Sequence, residues 1–355
     1  MEKYLINDVR DDFKNITFSN YQKSKAKQEL LKSIYENKIE NANHWSAELI
    51  CAGHFLDLWE IILLYMSKYI HTGNPKLPLY LKMRFDNFIS ILNTGYSAKV
   101  LLARNNDKLR KIFSEIICIL CFSTKKHNFQ NIKLNKEEEF DVTNISSKFK
   151  APNVNYIEAI FKDDDPKELF IPINELIYNL SIKNIIETCF WYEWIIEYEN
   201  RCKKKKKKCA CEGRIYAPNG FQNDIIWIIW DVLFYYSNPA NNNYIQKYSK
   251  KNQAIIHKII NSLYDLFVIK YNSSCKRKRK FVIYFAFSLL IDNIDLDIVI
   301  TKETEKINAI IEKIDVIYLN IKKNEISPNT DYLFKNVKKS NIEKTIEKME
   351  IINNL

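Results

Sequence analysis

Five glycines in 355 residues set the strongest limit on what this chain can build. Ordinary usage is about 7%, and devices that need glycine at fixed offsets, such as phosphate-cradling P-loops and dinucleotide-binding turns, have almost no material here. None is found. With 46% apolar residues the chain can still bury a sizeable core, and the periodicity of those residues says what kind.

Phe55, Trp59, Ile62, Met66 and Tyr69 alternate four and three apart and predict a buried helix face over 55–70. A short helix over 45–51 precedes it. His71 to Pro78, with two prolines and a glycine, reads as a loop before a helix over 79–92. Leu109, Ile112, Phe113, Ile116, Ile117 and Leu120 place the next helix over 107–122, with Asn106 as its cap. Asp165-Pro166-Lys167-Glu168 reads as a helix start. Helices follow over 184–201, 222–236, about 253–270 and 281–291. Over 304–323, Ile307, Ile311, Ile314, Tyr318 and Ile321 form a heptad-like seam, and a capping box at Ser340–Glu343 opens a last helix. Strand-like alternation is confined to Asp295–Ile300. The expected fold is all-α, an irregular bundle of roughly ten or more helices with little or no sheet.

By composition the chain divides into a polar N-terminal extension, 1–43; a helical part, 44–124; an irregular or linking segment, 125–164; a main bundle, 165–323, with a lysine-rich loop at 202–214; and a C-terminal segment and helix, 324–355. No run approaches the roughly 20 apolar residues of a membrane span, and Met1–Lys14 is too charged for a signal peptide. A soluble, cytosolic product is expected, with its eight cysteines as reduced thiols.

The formal charge of +11 resides in two places. Residues 201–214 carry a net +7 and Lys276–Lys280 adds +5, which leaves the remainder at −1. An anionic partner is therefore expected at Lys203, Lys204, Lys205, Lys206, Lys207, Lys208 and Arg214, and at Lys276, Arg277, Lys278, Arg279 and Lys280. If successive helices run up and down, both blocks fall at one pole of the bundle. Cations at a helix N-terminus oppose the macrodipole, so helix stability alone does not account for the second block. A solvated loop enriched in lysine by an AT-rich coding bias is the plain alternative for the first.

Other candidates for chemistry have plainer readings. Cys202, Cys209 and Cys211 bracket the lysines, but their spacing is not that of zinc ligands and a fourth ligand is missing. No metal or cofactor is expected. His44, His54, His71, His127 and His257 are scattered without a nucleophile or metal motif. Glu193, Glu197 and Glu199 read as solvated partners of the lysines before they read as paired acids. Trp191/Trp194 and Trp227/Trp230, each at i, i+3, are expected to meet as one aromatic layer between two hairpin helices; the alternative is a base-stacking platform.

At three places the residues resemble an uncharacterised protein family of nucleocytoplasmic large DNA viruses: Asn74-Pro75-Lys76-Leu77-Pro78 with Tyr80-Leu81; Arg104-Asn105-Asn106 with Arg110; and Ile321–Pro328 through Asp331–Phe334. The resemblance spans roughly residues 45–350 and brings no reaction, cofactor or catalytic residue with it. It implies a viral factory in the host cytoplasm, or a virion, as the location. The leading expectation is a non-enzymatic helical protein that binds DNA or RNA, without sequence specificity, through the two basic blocks. The alternative is an interaction scaffold or virion component with incidental lysine loops, its 321–334 segment docking a viral protein.

Overall fold

The computed structural model describes residues 4–126, 132, 134–135, 140, 142–241 and 248–326. Among these there are fourteen α-helices and no strand; a single bridge joins Ile16 to Gln22. The all-α expectation holds, and Asp295–Ile300 forms no strand.

Helix α1 (Lys23–Tyr35) packs on α2 (Ile39–Cys51), followed by α3 (Phe55–Tyr65), which a π-helical turn extends from Met66 to Ile70. Helix α4 (Leu77–Gly95) begins inside the segment expected as loop, because Pro78 falls in the first turn, where its missing N–H is not needed. Helix α5 (Asp107–Phe122) has the expected bounds, and Asn106 Oδ1 accepts from Leu109 N at 3.0 Å. After α6 (Val142–Ser146) come α7 (Phe170–Ser181), α8 (Ile185–Lys204), α9 (Ile226–Ser237) and α10 (Lys250–Phe267). A short α11 (Cys275–Lys278) leads into α12 (Lys280–Ile291). The heptad-like seam is broken at Lys313 into α13 (Thr304–Glu312) and α14 (Ile314–Lys322), yet Ile307, Ile314, Tyr318 and Ile321 are all buried. The capping box at Ser340–Glu343 lies outside the described residues.

Helix α12 explains the architecture. Every residue from Phe281 to Ile291 is buried, so the helix is apolar all round and must be enclosed on all sides. The π-helical turn, α7, α8, α9 and α10 surround it. One contiguous core runs from Ile6 to Ile321, across the expected boundaries at 43 and 125–164. The polar composition of 1–43 conceals Ile6, Phe13, Phe18, Leu30 and Ile34, all buried; that region is part of the body and not an extension. Its backbone reaches the other end of the described chain, where Val9 N donates to Ile326 O at 3.1 Å. No helix among the described residues is long and apolar enough to cross a membrane.

Asn74, Asn105 and Arg110 act as structural pegs. Asn105 Oδ1 accepts from Ile6 N at 2.9 Å, and buried Arg110 donates to Arg104 O at 2.7 Å and lies 4.1 Å over the Tyr318 ring. Asn74 Nδ2 donates to Ile300 O at 2.8 Å.

Candidate polyanion-binding surface

Helix α8 ends in the lysine run by a closed geometry. Lys206 takes a left-handed φ of 54°, its N–H donates to Lys203 O, and Lys207 N donates to Cys202 O at 2.8 Å. This pair of bonds is a Schellman ending, in which one residue must enter the region that glycine prefers. Lysines here face the negative end of the α8 dipole and stabilise it. All six side chains, Lys203 to Lys208, are exposed. Lys203 bonds Glu199 at 2.7 Å, whereas Lys204, Lys205, Lys206, Lys207 and Lys208 make no ion pair among the described residues.

The second block begins where α12 enters the core, and carboxylates meet it there. Lys276 is buried with its ammonium between Glu199, at 2.6 Å, and Asp224, whose other oxygen accepts from Tyr271 OH at 2.9 Å. Its own carbonyl accepts from the buried Tyr192 hydroxyl at 2.7 Å. Arg279 is buried too, donating to Phe267 O and to both oxygens of Glu60. Lys280 donates to Glu193 at 2.8 Å; Arg277, exposed, lies 3.7 Å from Glu197; only Lys278 is both exposed and without an ion pair among the described residues.

The two blocks therefore converge as the up-and-down arrangement predicts: Lys203 and Lys276 both sit on Oε1 of Glu199, at 2.7 and 2.8 Å. Convergence does not make a patch of eleven free charges. Desolvating an ion costs several kcal/mol, and withdrawing Lys276 would strand buried Asp224 and leave buried Glu199 with Lys203 alone. Lys276 and Arg279 are thus corrected from surface contacts to interior ions, and Lys280 is committed to Glu193. The dipole argument for the second block resolves the same way, since Glu193, Glu197, Glu199, Glu60 and Asp224 balance it.

Arg214 is a third correction. Its side chain is 1% exposed and bidentate on Asp165, at 2.7 and 2.8 Å, with Nε donating to Asp231 at 2.7 Å. Asp165 is consequently no helix cap. It also accepts from the Lys162 and Glu212 amides, and α7 starts later, after a 3-10 turn at Lys167–Leu169.

The tryptophans form two layers, not one. Trp191 and Trp194 pack with Phe149, Phe140 and Tyr198, and α8 lies on α7. Trp227 and Trp230 pack with Tyr264, Tyr271 and Phe267, and α9 lies on α10. All four are buried, so they offer no stacking platform.

All eight cysteines are free thiols, seven of them buried. Burial pushes the Cys209 and Cys211 thiols up to about 12, against the thiolate form that metal binding needs. Cys211 Sγ donates to Asp224 O at 3.2 Å, and no three His, Cys, Asp or Glu among the described residues are grouped as a metal site. His54 Nε2 bonds Ile16 O at 2.8 Å and His257 Nδ1 bonds Ser237 Oγ at 2.9 Å; His127 lies outside the described residues.

The carboxylates at 193, 197 and 199 are visible in the sequence as partners of lysines, though not as partners of the distant 276–280 block. Glu60, Asp224 and Asp231 give no sequence signal, and Asp165 gives a misleading one as a helix start, because their partners are 17 to 219 residues away. Compared with protein-family models, curated proteins and solved structures, the chain finds no match in any of the three.

Proposed function

We propose that the protein is a non-enzymatic binder of polyanions, DNA or RNA foremost, and that it uses Lys203–Lys208 with the adjoining Arg277 and Lys278. One observation carries this reading: five consecutive exposed lysines, Lys204 to Lys208, have no carboxylate partner among the described residues, while most of the second block is neutralised internally. Mobile ammoniums of this kind neutralise phosphates and release counterions without reading base edges. A viral factory or virion as the location belongs to this proposal through the sequence resemblance alone.

The second reading, a scaffold with an incidental lysine loop, is favoured by the Schellman ending, because lysines at a helix C-terminus stabilise the helix without any ligand. Fluorescence anisotropy of a labelled duplex over a salt series separates the two. Five phosphate contacts give a log-log slope near −4.5 and a loss of roughly 500-fold between 50 and 200 mM salt. Replacing Lys204 to Lys208 by Ser should remove most of that slope and leave only the share of Lys203, Arg277 and Lys278. Binding unaltered by the replacement would refute this surface, and no binding by the wild type would leave the scaffold reading.

A further inference from the structure

Arg214 is a phosphate ligand by sequence, and its actual surroundings point to a different ligand. One guanidinium there faces two carboxylates, so the cluster holds one negative charge in excess. Asp165 is 0% exposed at its side chain and saturated by Arg214 and two backbone amides, so the excess falls on Asp231, which is 20% exposed. Asp231 Oδ2 takes Arg214 Nε and Oδ1 takes the Tyr216 hydroxyl at 2.7 Å. Each carboxylate oxygen accepts more than one bond, so acceptor capacity remains.

Asp231 lines a cavity of about 330 Å³ between α9, α10 and the 159–162 segment, with Phe234, Tyr235, Asn238 and His257. Asp231, Phe234, Tyr235 and Asn238 share this wall because they recur three, four and seven residues along α9 and its C-cap. Opposite, on α10, His257 Nδ1 lies 2.9 Å from the hydroxyl of Ser237, the last residue of α9. Burial lowers the proton affinity of this imidazole, which favours its neutral form. Lys162 at the rim is exposed and pairs with Glu212 at 3.2 Å. Burial also raises the Asp231 carboxyl, outweighing the bonds from Tyr216 and Arg214 and the charges of Arg214 and Lys162, which lower it.

We propose that this cavity is a binding site for a small primary amine, its ammonium held by Asp231 and its carbon chain against Phe234 and Tyr235. The inner wall presents the Asp231 carboxylate and aromatic faces, which suit a cation with several N–H donors, while the one cation among the described residues of the lining, Lys162, is held at the rim by Glu212. The volume is at the small end of ligand sites, so the ligand is an amine of a few carbons. This site is separate from the lysine surface and stands whether or not that surface binds nucleic acid.

The test is isothermal titration with n-butylamine hydrochloride, with sodium butyrate and 1-butanol as controls of the same length. The amine should bind with a millimolar or tighter Kd and the controls should not. Asp231→Asn should weaken binding at least about tenfold. Because that change touches Arg214, a second variant, Ala159→Phe, obstructs the exposed rim without touching any ion pair and should weaken the amine equally. No heat with the amine on the wild type, butyrate binding as well as the amine, or amine binding unchanged in Ala159→Phe would each overturn the proposal.

Discussion

Lys203–Lys208 and Lys276–Lys280 are alike in composition and touch one carboxylate, Glu199, yet the first lies in solvent and most of the second is threaded among Glu60, Glu193, Glu199 and Asp224. The difference arises from what each block adjoins. The first follows the end of α8, where the chain turns outward and the dipole welcomes cations. The second precedes α12, the helix enclosed on every side, so its side chains are drawn in with the backbone and survive there only because acids meet them. A basic run is a surface only when the element beside it reaches the surface.

The largest effect that could break this comparison is on stability. Lys276→Ala should destabilise by about 3–5 kcal/mol, because Asp224 stays buried without a cation and Glu199 keeps only the exposed Lys203. Replacing Lys204 to Lys208 by Ser should change stability by less than about 1 kcal/mol in all, as substitutions on a solvated face do. Urea unfolding of the two variants reads both numbers, and equal losses would erase the distinction.

Arg279→Ala comes next. It removes the bonds to Glu60 and leaves Phe267 O without its donor, and should cost about 1.5–3 kcal/mol. Glu60 is partly exposed and can rehydrate, so the loss should be smaller than at Lys276. Urea midpoints in the reverse order would show that Lys276, not Arg279, has access to water.

Within the first block, Lys206→Gly should stabilise by roughly 0.5–1 kcal/mol, since its φ of 54° suits glycine better than a residue with a Cβ. A loss on thermal melting would mean that the Schellman ending is not the solution geometry.

The smallest effect is a pH slope at the third interior cation, Arg214. Burial raises the Asp231 carboxyl above its ordinary value of 3.8. Between that value and the raised one the folded state binds more protons than the unfolded, so this group's contribution is present at low pH and lost as pH rises through the folded pKa. The stability of Asp231→Asn relative to wild type should therefore improve as pH rises through that window. A relative stability that is flat with pH would show that the Asp231 carboxyl is solvated and not half-enclosed as described.

How much of this is legible in the sequence depends on range. Helices whose apolar faces and caps are local, such as α5 behind Asn106, can be read directly. So can the convergence of the two blocks, which needs only alternating helix directions. The burial of Lys276, Arg279 and Arg214 cannot, because it depends on acids that approach from other helices and leave no periodic trace. The same limit hides the separation of the Trp191 and Trp227 layers: spacing shows which rings share a face and says nothing about which helix that face meets.

Amine acylation followed by peptide mass spectrometry tests the difference between the blocks most directly, since both are read in one sample. Under native conditions with a short pulse of an acetylating reagent, Lys204 to Lys208 should react at the rate of a solvated lysine. Lys276 should stay unmodified until denaturant is added. Comparable native rates at Lys276 and at Lys204–Lys208 would place both blocks on the surface and contradict the division between a solvated and an interior block.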